Sequence, residues 1–143
     1  MIFNKELTFM TRKYIHFILI THEVEEAAKE SGIQNGMVTV MTKHTTTGIA
    51  VNEALECLES DISDFLQTIV PEEHPYAHAH MLQEYGSTAG NPTGHMKAHI
   101  TGNHCHFPLI DGKLIRGDAQ DVYLMEFDGP SARRKVLIQV QGE

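Results

Sequence analysis

Apolar and polar positions divide this chain into short strand-like runs punctuated by three helical stretches. Phe3 to Phe9 and Tyr14 to Ile20 read as two strands, with Thr11, Arg12 and Lys13 in the turn between them. The spacing then changes. Val24, Ala27 and Ala28 fall at helical intervals, Thr21 suits the N-cap, and Glu23, Glu25 and Glu26 load the first turn where the helix dipole favours negative charge. With Gly32 as the stop, this predicts a helix over 22–31. Gly36 to Thr42 is a β-branched run that reads as a buried strand, and Gly48 to Asn52 reads as another short one.

The clearest helix is predicted over 54–69, where Leu55, Leu58, Ile62, Phe65, Leu66 and Ile69 form one stripe and Glu56, Glu59, Asp61 and Asp64 lie off it. Pro71 ends it. Residues 71–90 read as an irregular connection of a length that compact domains reserve for function, and it carries His74, His78 and His80. Asn91-Pro92 then gives an N-cap followed by proline at the first helical position, with Gly102 closing a helix over 92–101. Cys105 to Ile110 and Lys113 to Ile115 flank the hairpin signal Asp111-Gly112, and Asp121 to Phe127 and Arg134 to Gln141 flank Asp128-Gly129-Pro130. Three helices against about eight strands, with no internal repeat or linker, predict a single α+β domain over 1–143 with a strongly curved, mixed sheet.

Composition narrows the class. With 143 residues, 41% hydrophobic and 21% charged, the chain has the balance of one globular domain. A net charge of −8 argues against nucleic acid and anionic membrane surfaces as partners. No apolar run approaches the roughly 18–20 residues of a membrane span, and the first nine residues lack the apolar core of a secretory signal. A cytoplasmic location is therefore expected, with Cys57 and Cys105 as free thiols.

The chemistry-bearing signal is histidine, at ten residues, seven of which lie from His74 to His106. Imidazole serves both proton transfer near neutral pH and metal ligation, although any one histidine is more often a plain surface residue. His44-Thr45-Thr46-Thr47 sits between two strands, where a histidine and hydroxyls can face a cleft or simply satisfy a polar turn. Glu53 is either a general base or an ordinary first-turn acid. His95 and His99 share a helix face, but no Glu follows the first of them, so the metalloprotease pattern fails. His104 and His106 share a strand face and flank Cys105, a candidate ligand or nucleophile weighed against a plain structural thiol. Cys57 reads as a buried apolar residue within its helix. Arg133, Arg134 and Lys135 suit phosphate, or form a solvated charge cluster. No phosphate-binding glycine loop, C-x-x-C pair or serine-hydrolase elbow is present.

Taken in order, His44-Thr45-Thr46, Asn52-Glu53, Tyr76-Ala77-His78, Gly90-Asn91 and His95-Met96-Lys97-Ala98 form a distinctive series. Gly102, Pro108, Gly112-Lys113-Leu114, Gly117, Gln120 and Glu126-Phe127-Asp128-Gly129-Pro130 with Arg133 continue it. From about Thr8 onward the chain resembles the YjbQ family of secondary thiamine-phosphate-synthase-like proteins. The resemblance implies an α+β fold whose mixed sheet curls towards a barrel, assembly as a homotrimer, a pocket at or near subunit boundaries, and a weak thiamine-phosphate synthase activity. Carried over by motif, that pocket would hold His44, Thr45, Thr46, Glu53, His78, Asn91, His95, Gln120 and Arg133. The chain departs from the family at Gly117-Asp118-Ala119-Gln120, where the family has tryptophan in place of Ala119. It also has a longer segment between His78 and Gly90, which leaves His78 and His80 as alternatives. His99 and His104 have no family counterpart.

Three functions follow as expectations. The first is a transferase joining a pyrimidine methyl diphosphate to a thiazole phosphate, with His44 and His95 assisting the leaving group and Lys97, Arg116, Arg133 and Arg134 as cationic help. The second is hydrolysis at a divalent metal, zinc or magnesium, held by His44, His78 and His95 with Glu53 as base. The third is a non-catalytic binder that holds a small anionic metabolite between subunits, and a small phosphorylated metabolite is the expected partner.

Overall fold

The computed structural model describes residues 1–78 and 91–143. The chain runs β1 (Ile2–Thr11), β2 (His16–Leu19), α1 (Thr21–Ser31), β3 (Gly36–Thr42), β4 (Thr47–Asn52), α2 (Glu56–Ile69), α3 (Pro92–Thr101), β5 (His104–Ile110), β6 (Lys113–Leu114), β7 (Asp121–Glu126) and β8 (Ser131–Gly142). The strands form one five-stranded sheet in the order β1-β8-β3-β5-β6 and one three-stranded sheet in the order β2-β7-β4. Together they make the curled half-barrel of an α+β fold.

Every strand pairing among the described residues is antiparallel, where a mixed sheet was expected. The connections explain why. Parallel neighbours need a crossover that returns to the same sheet. Here α1 links β2 to β3, and α2 with α3 links β4 to β5, so each helical connection passes from one sheet to the other.

The main core fills the space between the two sheets and α1. Side chains alternate across a strand, so each strand sends one period-two stripe inward. β3 contributes Val38 and Val40, β7 contributes Val122 and Leu124, β8 contributes Val136, Ile138 and Val140, and β1 packs Phe3, Leu7 and Phe9 against them. Helix α1 adds Val24, Ala27 and Ala28. At one end all four stripes turn polar: the next inward positions are Thr11 on β1, Thr42 on β3, Glu126 on β7 and Arg134 on β8, and all four are buried. This polar end of the core lies beneath the β3–β4 connection that carries His44.

The opposite face of the three-stranded sheet is covered by α2 and α3, with Tyr123, Met125 and Phe127 packed among Leu66 and Ala98. Strand β7 is therefore buried on both faces. The cover is incomplete. The stripe expected over 54–69 forms a helix from Glu56, but Leu66 is its one buried residue, while Phe65 is 63% exposed and Ile100 on α3 is 50% exposed. Cys57, expected to be buried in this helix, is exposed.

Two expected caps are used differently. The Thr21 hydroxyl donates to Asp121 Oδ1 at 2.7 Å and accepts from the Val122 N–H at 2.9 Å, so it ties α1 to β7 while Ile20 holds the cap position. Asn91 occupies the cap position of α3, but its side chain reaches across to His78 and Asp128. Gly32 adopts the left-handed conformation after α1, and Asp111 and Gly112 both have positive φ in the β5–β6 hairpin, as their types suggested. No helix among the described residues is long and apolar enough to cross a membrane.

Candidate functional site

His44 and α3 face each other across a cavity of about 630 Å³. Its wall includes Thr42, His44, Thr45, His95, His99 and Asn103. Two close approaches set its shape. A methyl group on Gly94 would stand 3.0 Å from the Phe127 carbonyl oxygen, and one on Gly48 would stand 2.7 Å from Thr101 Cγ2. The absence of side chains at these two positions lets α3 lie directly on β4 and the end of β7, which brings His95 and His99 to the cavity. Although the whole chain is strongly acidic, no carboxylate is among the described residues lining this cavity.

A hydrogen-bond ladder behind His44 reaches into the polar end of the core. The Thr46 N–H donates to His44 Nδ1 at 3.1 Å, and Thr46 Oγ1 lies 2.8 Å from the same nitrogen. Arg134 Nη2 donates to Thr46 Oγ1 at 3.5 Å. The guanidinium is clamped by Glu126, with Nε at 2.6 Å from Oε1 and Nη2 at 3.2 Å from Oε2. Glu126 is 0% exposed and also accepts from the Thr11 hydroxyl at 2.7 Å and the Asp128 N–H at 3.3 Å. Loss of solvent on the protein side, and secondarily the positive charge of Arg134, hold the His44 pKa below its ordinary 6.5. The ring is thus biased towards its neutral form.

His95 joins this cavity to a smaller, mostly apolar hollow of about 390 Å³ lined by Tyr76, His78, Pro92 and Met96. The rings of His78 and His95 meet edge to face, with centroids 5.0 Å apart. His78 Nε2 lies 2.8 Å from Asn91 Oδ1, and Asn91 Nδ2 donates to Asp128 Oδ2 at 3.1 Å.

Of the residues expected at the site, the fold brings together His44, Thr45 and His95 on the cavity wall, Thr46 directly behind His44, and His78 with Asn91 beside His95. It does not bring Glu53, Gln120 or Arg133 there within one chain. Glu53 is exposed in the β4–α2 connection, outside the lining of the cavity. Gln120 folds back on its own turn, its Oε1 accepting from the Gly117 N–H at 2.7 Å. The Arg133 side chain is exposed on β8, and the buried arginine is its neighbour Arg134, read from sequence as part of a phosphate-gripping or solvated cluster. Lys97 is 3% exposed and lies 3.9 Å from Glu72, itself tied to Tyr14 and Thr93, so it stands off the cavity. Burial lowers its pKa, with Glu72 opposing the shift.

The expected metal set does not assemble. Among the described residues, no three His, Cys, Asp or Glu side chains are placed to hold one ion, so His44, His78 and His95 do not form a ligand triad with Glu53. The inward nitrogens of His44 and His78 are already turned to Thr46 and Asn91. His80, the alternative to His78, lies outside the described residues. Cys105 packs against the core, and burial pushes its thiol up to about 11, which removes it as a ready nucleophile.

The residues that sequence reasoning missed are Glu126 and Thr11, together with the buried role of Arg134. A signal was present: the apolar stripe Val122-x-Leu124 continues to Glu126, and Val140-x-Ile138-x-Val136 continues to Arg134. A charged residue continuing each of two inward stripes points to a buried pair.

Fold and site define a class: an antiparallel α+β half-barrel with a histidine-walled cavity over a buried ionic end of its core. Residues 5–143 match the family described as UPF0047 protein YjbQ-like, and the chain belongs to that family. It is 36% identical over 132 residues to a UPF0047 protein of Archaeoglobus fulgidus, covering 92% of this chain and 97% of that one. It is 35% identical to the UPF0047 protein YugU of Bacillus subtilis, covering 90% and 92%. Among solved structures, a YbjQ-like protein of unknown function from Sulfolobus solfataricus superposes with a TM-score of 0.92 at 27% identity, covering 100% and 99% of the two chains. An uncharacterised family member from Clostridium acetobutylicum superposes at 0.85 with 35% identity, covering 96% and 99%.

Proposed function

We propose that this chain is a small-molecule enzyme that handles a phosphorylated metabolite in the cavity between His44 and His95, with thiamine-phosphate-synthase chemistry as its reaction. One observation carries the reading. On a chain of net charge −8, the described residues of the cavity wall include no carboxylate and offer His44, Thr45, His95, His99 and Asn103 as hydrogen-bonding groups. An anion is favoured in such a place by local donors despite the overall charge.

In the reaction, the thiazole nitrogen attacks the pyrimidine's methylene carbon, a C–N bond forms, and the C–O bond to diphosphate breaks. Negative charge grows on the departing oxygen, where a preorganised N–H from His44 is worth most. His95, which lines both hollows, would orient the leaving group. The resemblance to the YjbQ family adds a homotrimer with pockets at subunit boundaries. Support for self-association comes from the uncovered apolar face of α2 and α3, where Phe65 and Ile100 edge a hollow with Phe17, Ile62 and Met125. In that assembly Glu53, Gln120 and Arg133, which stand off the cavity of their own chain, would serve a neighbour's.

Incubation of the purified chain with the two precursors tests the reading. Thiamine phosphate and diphosphate are expected in equal amounts, from a particle of about three 16.0 kDa chains by light scattering. Saturable binding of either precursor without product would assign the chain as a binder and overturn the catalytic reading.

A further inference from the structure

Hydrogen-bond polarity can be followed outward from groups whose role is fixed. An ionised carboxylate only accepts, and a guanidinium only donates. Arg134 therefore donates to Thr46 Oγ1, whose own proton is then free for His44 Nδ1. The Thr46 N–H also donates to that nitrogen. Two donors meet at Nδ1, so it carries the lone pair, and the neutral ring's proton is on Nε2.

The second arm starts at Asp128. Its carboxylate accepts from Asn91, which fixes that amide with Nδ2 towards Asp128 and Oδ1 towards His78. An amide oxygen accepts, so His78 Nε2 carries the proton, and the neutral ring keeps its lone pair at Nδ1. Arg134 Nη2 also reaches the Asp128 carbonyl oxygen at 3.4 Å, which joins the two arms.

We propose that Arg134, Glu126 and Asp128 are positioning residues that give the two histidines opposite polarity: His44 keeps an N–H for the ligand, and neutral His78 keeps a lone pair. This rests on the phosphate reading of the cavity for its ligand and deepens it. A group fixed as a donor binds an accepting oxygen, and an ionised phosphate oxygen is the stronger acceptor, so the cavity favours phosphate anions over neutral esters of the same size.

The test uses the full chain labelled with ¹⁵N-histidine and inorganic phosphate as the probe, at pH 8. Wild type is expected to show Nδ1 of His44 as a hydrogen-bonded acceptor and Nε2 of both His44 and His78 as N–H. Thr46→Val leaves only the backbone N–H on His44 Nδ1, so it should shift that resonance towards a free acceptor and weaken phosphate binding about tenfold, the loss of one hydrogen bond. Thr46→Ser, which keeps the hydroxyl, should restore both. Arg134→Lys should move His44 in the same direction as Thr46→Val, and Asn91→Ala should move the His78 resonances and leave those of His44 unchanged. A proton on Nδ1 of His44 in wild type, or a His44 resonance indifferent to Thr46→Val and Arg134→Lys, would overturn the proposal. If the resonances respond as stated while wild type binds no phosphate, the positioning network stands and the phosphate reading fails.

Discussion

Replacing Arg134 with methionine should destabilise the fold by about 3–5 kcal/mol, measured as the loss in unfolding free energy in urea. The pair it forms with Glu126 is sealed at the end of the core, and Glu126 is 0% exposed. Coulomb attraction between buried charges is largely spent on their lost hydration, so the pair adds little net stability. Removing one partner is different, because the carboxylate is then left in the core with only Thr11 and one backbone N–H to hold it. Adding Glu126→Leu to Arg134→Met should recover most of the loss, because it replaces an unpaired charge with an apolar side chain that continues the Val122–Leu124 stripe. A single variant as stable as wild type would mean that the ionic end of the core is open to water.

His44→Ala should lower the turnover of thiamine phosphate synthesis by about 10²–10³-fold, the usual cost of removing one preorganised donor to a developing oxyanion. Its effect on KM should be the smaller one, about tenfold, because charge on the leaving oxygen grows mainly in the transition state. Stability should change little, since His44 is exposed on the β3–β4 connection and its partners Thr46 and Arg134 retain Glu126 and the backbone. Single-turnover kinetics on wild type and variant separate this outcome from a loss of ligand binding, which would appear in KM alone.

The elements were legible wherever a local rule sets them. Periodicity placed α1 and α3 within a residue of their ends, and Gly32 and Asp111-Gly112 punctuate the chain as their backbone freedom dictates. Sheet order was not legible, because pairing of β1 with β8 and of β3 with β5 joins segments far apart in the chain. Thr21 and Asn91 illustrate a second limit. A polar side chain before a helix can cap its own N–H groups or reach across the fold, and only tertiary neighbours decide between these. The motif His44-Thr45-Thr46 was found by its types, but its meaning depends on Arg134, about ninety positions later. Glu53, Gln120 and Arg133 show the converse. Their types suit a site, yet each faces solvent or its own turn in the isolated chain. Cys57 was expected inside because its helix carries an apolar stripe, and it is exposed because that stripe is covered on only part of its width.

The most direct measurement is a titration of inorganic diphosphate into the ¹⁵N-histidine-labelled chain, followed by the ring resonances of its histidines. His44, His95 and His99 line the cavity, whereas His22 is exposed on α1 and serves as an internal control. Saturable shifts in the first three, absent in His22, are the predicted result, with the midpoint read at His95 and His99 about tenfold weaker in His44→Ala, the loss of one hydrogen bond. Unmoved cavity histidines at saturating diphosphate, or a midpoint unchanged in His44→Ala, would contradict an anion site between His44 and His95.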